Sequence, residues 1–187
     1  MIKIIVKEEM YIYDMYHILR AFYPGSEIDQ TIDSGVPNLI ELRIDGQRKE
    51  CLLINQNEVE EYAERKQKKR YVNLKVYDWL SKQTEKELAW GVLTGIRPTK
   101  IMMNLLEEGK SEQDVIDYMK ENYRTTDKKA NLGMEIAKRE KALLAQLDYK
   151  DGYSLYVGIP FCPTTCSYCS FTSQPIHKWK DRVDEYL

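Results

Sequence analysis

The period of the apolar positions changes along the chain, and the change divides it. The apolar run Ile2–Val6 reads as a strand. Within Met10–Phe22, Met15, Ile18, Leu19 and Phe22 fall at helical spacing, and Pro24-Gly25 ends that helix. Ile40, Leu42 and Ile44 alternate with Glu41, Arg43 and Asp45, the pattern of a half-buried strand. Asp45-Gly46 supplies a tight turn, and Cys51–Ile54 is the returning strand of a hairpin.

From about Glu58 the period becomes helical. Val72, Val76, Trp79 and Leu80 mark one stripe. Thr84 with Glu87 predicts a capping box at the next helix start, and Thr94-Gly95 breaks that helix. Pro98 suits a first helical turn and Gly109 a stop, with Ile101, Met102, Leu105 and Leu106 as the buried stripe between them. Ser111 starts a helix with Val115, Ile116 and Met119 facing in. A charged helix over Asp127–Leu147 is expected to bury Ile136, Leu143, Leu144 and Leu147. Residues 1–148 therefore predict an α+β domain, a small mixed sheet with a hairpin and then helices, largely helical after residue 57. Residues 149–152 read as a linker, Tyr153–Gly158 as a new strand, and Lys178–Leu187 as the start of a charged helix.

Composition narrows the class without naming a function. The chain has 187 residues, 43% hydrophobic and 31% charged, so a packed core is expected. A net charge of −2 excludes a strongly basic surface, so no nucleic-acid partner is expected. The basic run Arg65–Arg70 follows Glu58, Glu60, Glu61 and Glu64 and reads as a solvated helix face. No apolar run is long enough to span a bilayer, and the N-terminus lacks a secretory pattern, so a cytoplasmic location is the expectation. The fourteen tyrosines are scattered and read as half-buried packing residues.

The cysteines change the picture. Three of the four, Cys162, Cys166 and Cys169, crowd into C-x3-C-x2-C, while Cys51 sits among apolar residues and reads as a buried small side chain. Spread disulfides are not expected from this distribution. Three chemistries compete for the trio. A structural zinc site wants four ligands, and His177 lies eight positions past Cys169, beyond the usual spacing. A ferredoxin-type cluster wants a fourth nearby cysteine, which is absent. The third is a four-iron cluster with one iron left open to a small molecule.

Cys162, Cys166, Tyr168 and Cys169 together fit the motif C-x3-C-x-aromatic-C, and in this they resemble the radical S-adenosylmethionine enzymes. The stretch Leu155–Cys162 resembles the oxygen-independent coproporphyrinogen III oxidase group, and Trp90–Lys100 is similar to the HemZ-type coproporphyrinogen dehydrogenases. The resemblance implies that residues 153–187 are the first strand and cluster loop of a truncated α/β partial barrel. It implies a [4Fe-4S] cluster on Cys162, Cys166 and Cys169, with S-adenosyl-L-methionine on the open iron and in contact with Tyr156 and Tyr168. It further implies a porphyrinogen substrate, an electron donor such as a flavodoxin or ferredoxin, and oxidative decarboxylation of coproporphyrinogen III to protoporphyrinogen IX in haem biosynthesis.

Two positions depart from the family pattern. Phe171 stands where the well-characterised oxidases carry a further cysteine, and Gly158 where many relatives carry histidine. Haem chaperones of the same superfamily share the phenylalanine, so a haem-binding role stays open, as does a zinc-stabilised interaction module. A barrel of this class needs roughly 200 residues or more, and eighteen follow Cys169. The expectation is an N-terminal piece of a longer protein, or a truncated product, that does not turn over alone. Residues 1–148 are a candidate docking domain, with Arg97 and Lys100 beside the helix start at Pro98 as candidate carboxylate contacts.

Overall fold

The computed structural model describes residues 1–44, 50–95, 97–148 and 151–187. The chain is mixed α/β and divides into two compact units, Met1–Gln146 and Leu147–Leu187.

In the first unit, β1 (Ile2–Val6) lies inside a four-stranded sheet, and its buried Ile2, Ile4 and Val6 alternate with half-buried Lys3 and Ile5. A 3-10 turn at Glu9–Tyr11 leads into α1 (Ile12–Phe22), which buries Met15, Ile18, Leu19 and Phe22 as their spacing predicts. The chain then returns as β2 (Ile28–Ile32), parallel to β1. The helix provides the crossover that a parallel pair requires. This edge strand has no period-2 pattern and was not expected from the sequence. β3 (Ile40–Ile44) pairs antiparallel with β1, and β4 (Glu50–Ile54) pairs antiparallel with β3, giving the order β2-β1-β3-β4. The predicted Asp45-Gly46 turn lies outside the described residues.

Two readings of this sheet change. Glu41 is buried on β3, where it accepts hydrogen bonds from Arg43 at 2.7 Å and Asn38 at 3.1 Å. A buried carboxylate is tolerable only with such partners. Cys51 is exposed, not buried. The pleat points Leu52 and Ile54 inward and leaves Cys51 and Leu53 outward.

After the short α2 (Asn57–Glu60), α3 (Arg65–Thr84) covers α1 and the sheet with Val72, Val76, Tyr77 and Leu80. Trp79 is half-buried rather than central to the stripe. The capping box expected at Thr84 is absent. Thr84 is the last residue of α3, its hydroxyl donates back to the Leu80 carbonyl at 2.8 Å, and Glu85 is left-handed at φ 53°. That back-bond satisfies the hydroxyl within the helix it closes.

α4 (Pro98–Glu107) begins with proline in its first turn, as predicted, and ends in a Schellman arrangement. There Gly109 adopts φ 85°, its N–H reaches Leu106 O at 3.2 Å, and Lys110 N–H reaches Leu105 O at 3.0 Å. α5 (Glu112–Tyr123) starts with a true capping box between Ser111 and Asp114. α6 (Asp127–Leu144) completes a second core of Met102, Met103, Val115, Met119, Ala130, Met134 and Ala137.

The inward face of α6 is not the one its large apolar residues suggest. Ala130, Gly133, Met134 and Ala137 are buried, while Ile136, Leu143 and Leu147 are exposed and Leu144 is half-buried. Close packing explains it: a Cβ on Gly133 would sit 2.7 Å from Met102 Cε. Small side chains let the methionines fill the gap between helices. Tyr123 packs against both cores.

The second unit holds β5 (Phe161–Cys162) parallel to β6 (Gln174–Pro175), then α7 (Ile176–Trp179), a 3-10 turn and α8 (Val183–Tyr186). The predicted charged helix is thus broken into single turns. The predicted strand over Tyr153–Gly158 is not formed, and no barrel is formed by the described residues. A strand exists by pairing its amides with a neighbour, and this segment has none among the described residues.

Candidate functional site

The cysteine segment is built as a loop tied at its base. β5 and β6 pair through Phe161 and Gln174, and Gln174 N–H donates to Pro160 O at 2.7 Å. Cys162 sits at this base, half-buried. Cys166 and Cys169 are exposed further along, joined by a turn in which Cys169 N–H donates to Cys166 O at 3.1 Å. The Cys169 thiol points at Phe171 O, 3.7 Å away. The base is braced from α8. Tyr186 packs edge-on against Phe161 with ring centroids 5.3 Å apart, and its hydroxyl donates to Gly158 O at 2.8 Å.

The structure places Tyr156 and Tyr168 in solvent, 84% and 87% exposed. Tyr156 lies beside Gly158, where a Cβ would stand 3.0 Å from its ring. A histidine at 158 would displace that ring. Phe171 is exposed as well.

The donor chemistry suits an iron–sulfur cluster, since three thiols without a nearby fourth would hold three irons. Their arrangement is not that of an assembled centre. Among the described residues, no group of three or more His, Cys, Asp or Glu side chains is placed to hold a metal ion. Thiolate sites commonly gather only as the metal binds. Arg97 and Lys100 are exposed at the start of α4, whose first turn carries no acidic residue. No described helix is long and apolar enough to cross a membrane.

Comparison with known proteins follows the sequence pattern. The chain is 38% identical over 123 residues to a curated Bacillus subtilis (strain 168) protein named oxygen-independent coproporphyrinogen-III oxidase-like protein HemZ. The HemZ-type resemblance holds for the N-terminal part. The match covers 65% of this chain and 25% of that relative, so the chain spans about a quarter of the HemZ protein's length. No family model and no solved structure matches the chain.

Proposed function

We propose that this chain is part of a radical S-adenosylmethionine oxidoreductase that converts coproporphyrinogen III to protoporphyrinogen IX by oxidative decarboxylation, in the cytoplasm. The similarity to HemZ carries the reading, and the C-x3-C-x2-C spacing supports it. Cys162, Cys166 and Cys169 would hold a [4Fe-4S] cluster. When bound, that cluster supplies the electron that splits S-adenosylmethionine. Cys162 lies at the β5–β6 base and Cys166 and Cys169 share one turn, so cluster binding would have to draw that turn's two thiols to the third. The exposed rings of Tyr156 and Tyr168 offer faces for the nucleotide. Residues 153–158 would become the first strand of a partial barrel only on pairing with a parallel neighbour. A flavodoxin or ferredoxin is the expected electron donor.

Anaerobic reconstitution with iron and sulfide tests this reading. About four irons per chain are expected, with a paramagnetic signal that changes on adding S-adenosylmethionine. Cys166→Ala should remove both. One zinc per chain without sulfide would instead select the interaction module. A haem chaperone is the second reading, favoured by Phe171. It is separated by the absence of a vinyl product from coproporphyrinogen III while haem is retained.

A further inference from the structure

A cavity of about 520 Å³ opens in the first unit between α1, the first turns of α3, the segment 92–94 and the end of α5. Its size is that of small-molecule sites, about 300–1,000 Å³. Arg65, Lys66, Lys69, Arg70 and Asn73 line it from one face of α3, at i, i+1, i+4, i+5 and i+8. The basic run is therefore more than a solvated helix face, and Lys69 and Arg70 are half-buried.

Among the described lining residues, four cations face one carboxylate. Asp14 is the carboxylate in the lining, and it is engaged by Lys69 at 2.9 Å and by the Asn73 amide at 3.1 Å. The hydrogen-bond partners of Arg70 are neutral: Asn122 Oδ1 at 2.8 Å and Tyr118 OH at 3.2 Å. Its guanidinium lies 5.8 Å from the ring centroids of both Tyr118 and Tyr123. Those contacts orient a cation without neutralising it. Beyond the N-cap Glu64, whose side chain makes no cap hydrogen bond, the first turn of α3 has no acidic residue, so Arg65 and Lys66 stand at the positive end of the helix dipole. This placement works against folding and in favour of an anion.

A second observation adds a separate requirement. Asn73 Oδ1 is buried and has no hydrogen-bond partner among the described residues. A lining amide oxygen in this state calls for a donor from whatever fills the cavity. The remaining wall is apolar, with Val92, Leu93 and the Tyr123 ring.

We propose that this cavity binds an amphipathic organic anion, an apolar ring bearing two or more acidic groups and a hydrogen-bond donor. The ring would lie on Val92, Leu93 and Tyr123, with its acidic groups on Arg65, Lys66 and Arg70. The assignment stands on the cavity and does not depend on the radical chemistry of the cysteine loop.

The test is fluorescence anisotropy of the 187-residue chain with the pyrene trisulfonate pyranine as probe. Saturable binding that weakens with salt is expected. Arg65→Gln with Lys66→Gln should weaken it at least about tenfold, the loss of two charge-assisted contacts. Both residues are exposed, and removing cations from a helix start should leave the melting temperature unchanged or raised. Displacement by coproporphyrin III identifies carboxylated rings as the ligand class, and displacement by ATP identifies phosphorylated ones. Binding equal in wild type and variant overturns the proposal. So does equally tight binding of pyrophosphate, which has no ring.

Discussion

Phe22, Leu19, Val76 and Met102 are fully buried in the Met1–Gln146 unit, whereas no described residue of Leu147–Leu187 is buried. In the second unit Tyr153, Leu155, Tyr156 and Val157 face solvent. The first unit closes its core with local periodicity, two layers and tight helix contacts. The second carries the more specific motif with no core of its own. A ligand loop can therefore be recognisable in sequence while its structure waits on what it binds or pairs with.

The largest predicted effect tests this contrast directly. Phe22 is fully buried and packs at 64° on Tyr77 with centroids 5.4 Å apart. Phe22→Ala should cost about 3–5 kcal/mol of unfolding free energy in urea. Tyr156→Ala should change the same transition by less than about 0.5 kcal/mol, because an exposed ring leaves no cavity. A comparable loss from both would mean that the second unit contributes to the cooperative core.

The next effect lies at a backbone contact. Gly91 adopts φ 57°, and a Cβ there would fall 1.8 Å from the Tyr123 carbonyl oxygen. Val92 N–H donates to that same carbonyl at 2.9 Å, and Thr126 N–H reaches Ala89 O at 3.2 Å. These bonds staple the segment 89–93 to the end of α5 and set one wall of the basic cavity. Gly91→Ala combines left-handed strain with a backbone clash and should cost about 2–4 kcal/mol. It should also weaken pyranine binding, and unaltered binding would separate the staple from the cavity.

What could be read from the chain alone follows the same division. β1, α1, the β3–β4 pairing, the proline start of α4 and the Ser111 start of α5 rest on local signals, and they formed. β2 did not show, because its apolar residues Ile28 and Ile32 stand only at its ends and its pairing with β1 is non-local. The α6 face misled because hydrophobic size was counted, whereas the contact needed smallness at Ala130, Gly133 and Ala137. For the site, the spacing of Cys162, Cys166 and Cys169 was plain, but spacing does not gather thiols. The cavity was hidden because Arg65–Arg70 read as a helix face turned wholly to solvent, whereas Lys69 and Arg70 are half-buried and line it. Its signal was the concentration of cations at a helix start, where the dipole disfavours them.

A smaller effect sharpens the first unit's reliance on local signals. Ser111 Oγ accepts from Asp114 N–H at 3.2 Å, and its own hydroxyl donates to Asp114 Oδ2 at 2.7 Å. Ser111→Ala should cost about 1 kcal/mol. The hydroxyl and the Ser111 N–H, both donating to Asp114, hold its carboxyl below the usual carboxylate range. A depressed folded pKa stabilises above the unfolded value, and that stabilisation fades as pH falls through the folded one. Acid titration of stability should therefore be shallower in Ser111→Ala than in wild type.

The smallest effect concerns a flaw inside the well-packed unit. Tyr11 is fully buried, and its hydroxyl has no partner among the described residues. Burial, with a lesser push from Glu8, raises its pKa to about 12. Its folded pKa therefore lies above the unfolded value near 10. The neutral phenol's contribution is fully present below that value and is lost as pH rises toward 12, because the unfolded chain releases the proton first. Tyr11→Phe removes an unpaired buried hydroxyl and keeps the ring, so at neutral pH it should be neutral or slightly stabilising. Denaturation midpoints measured from pH 9 upward should fall less steeply in the variant. A variant clearly less stable at neutral pH would show that the Tyr11 hydroxyl is hydrogen-bonded after all, with a buried water as its partner.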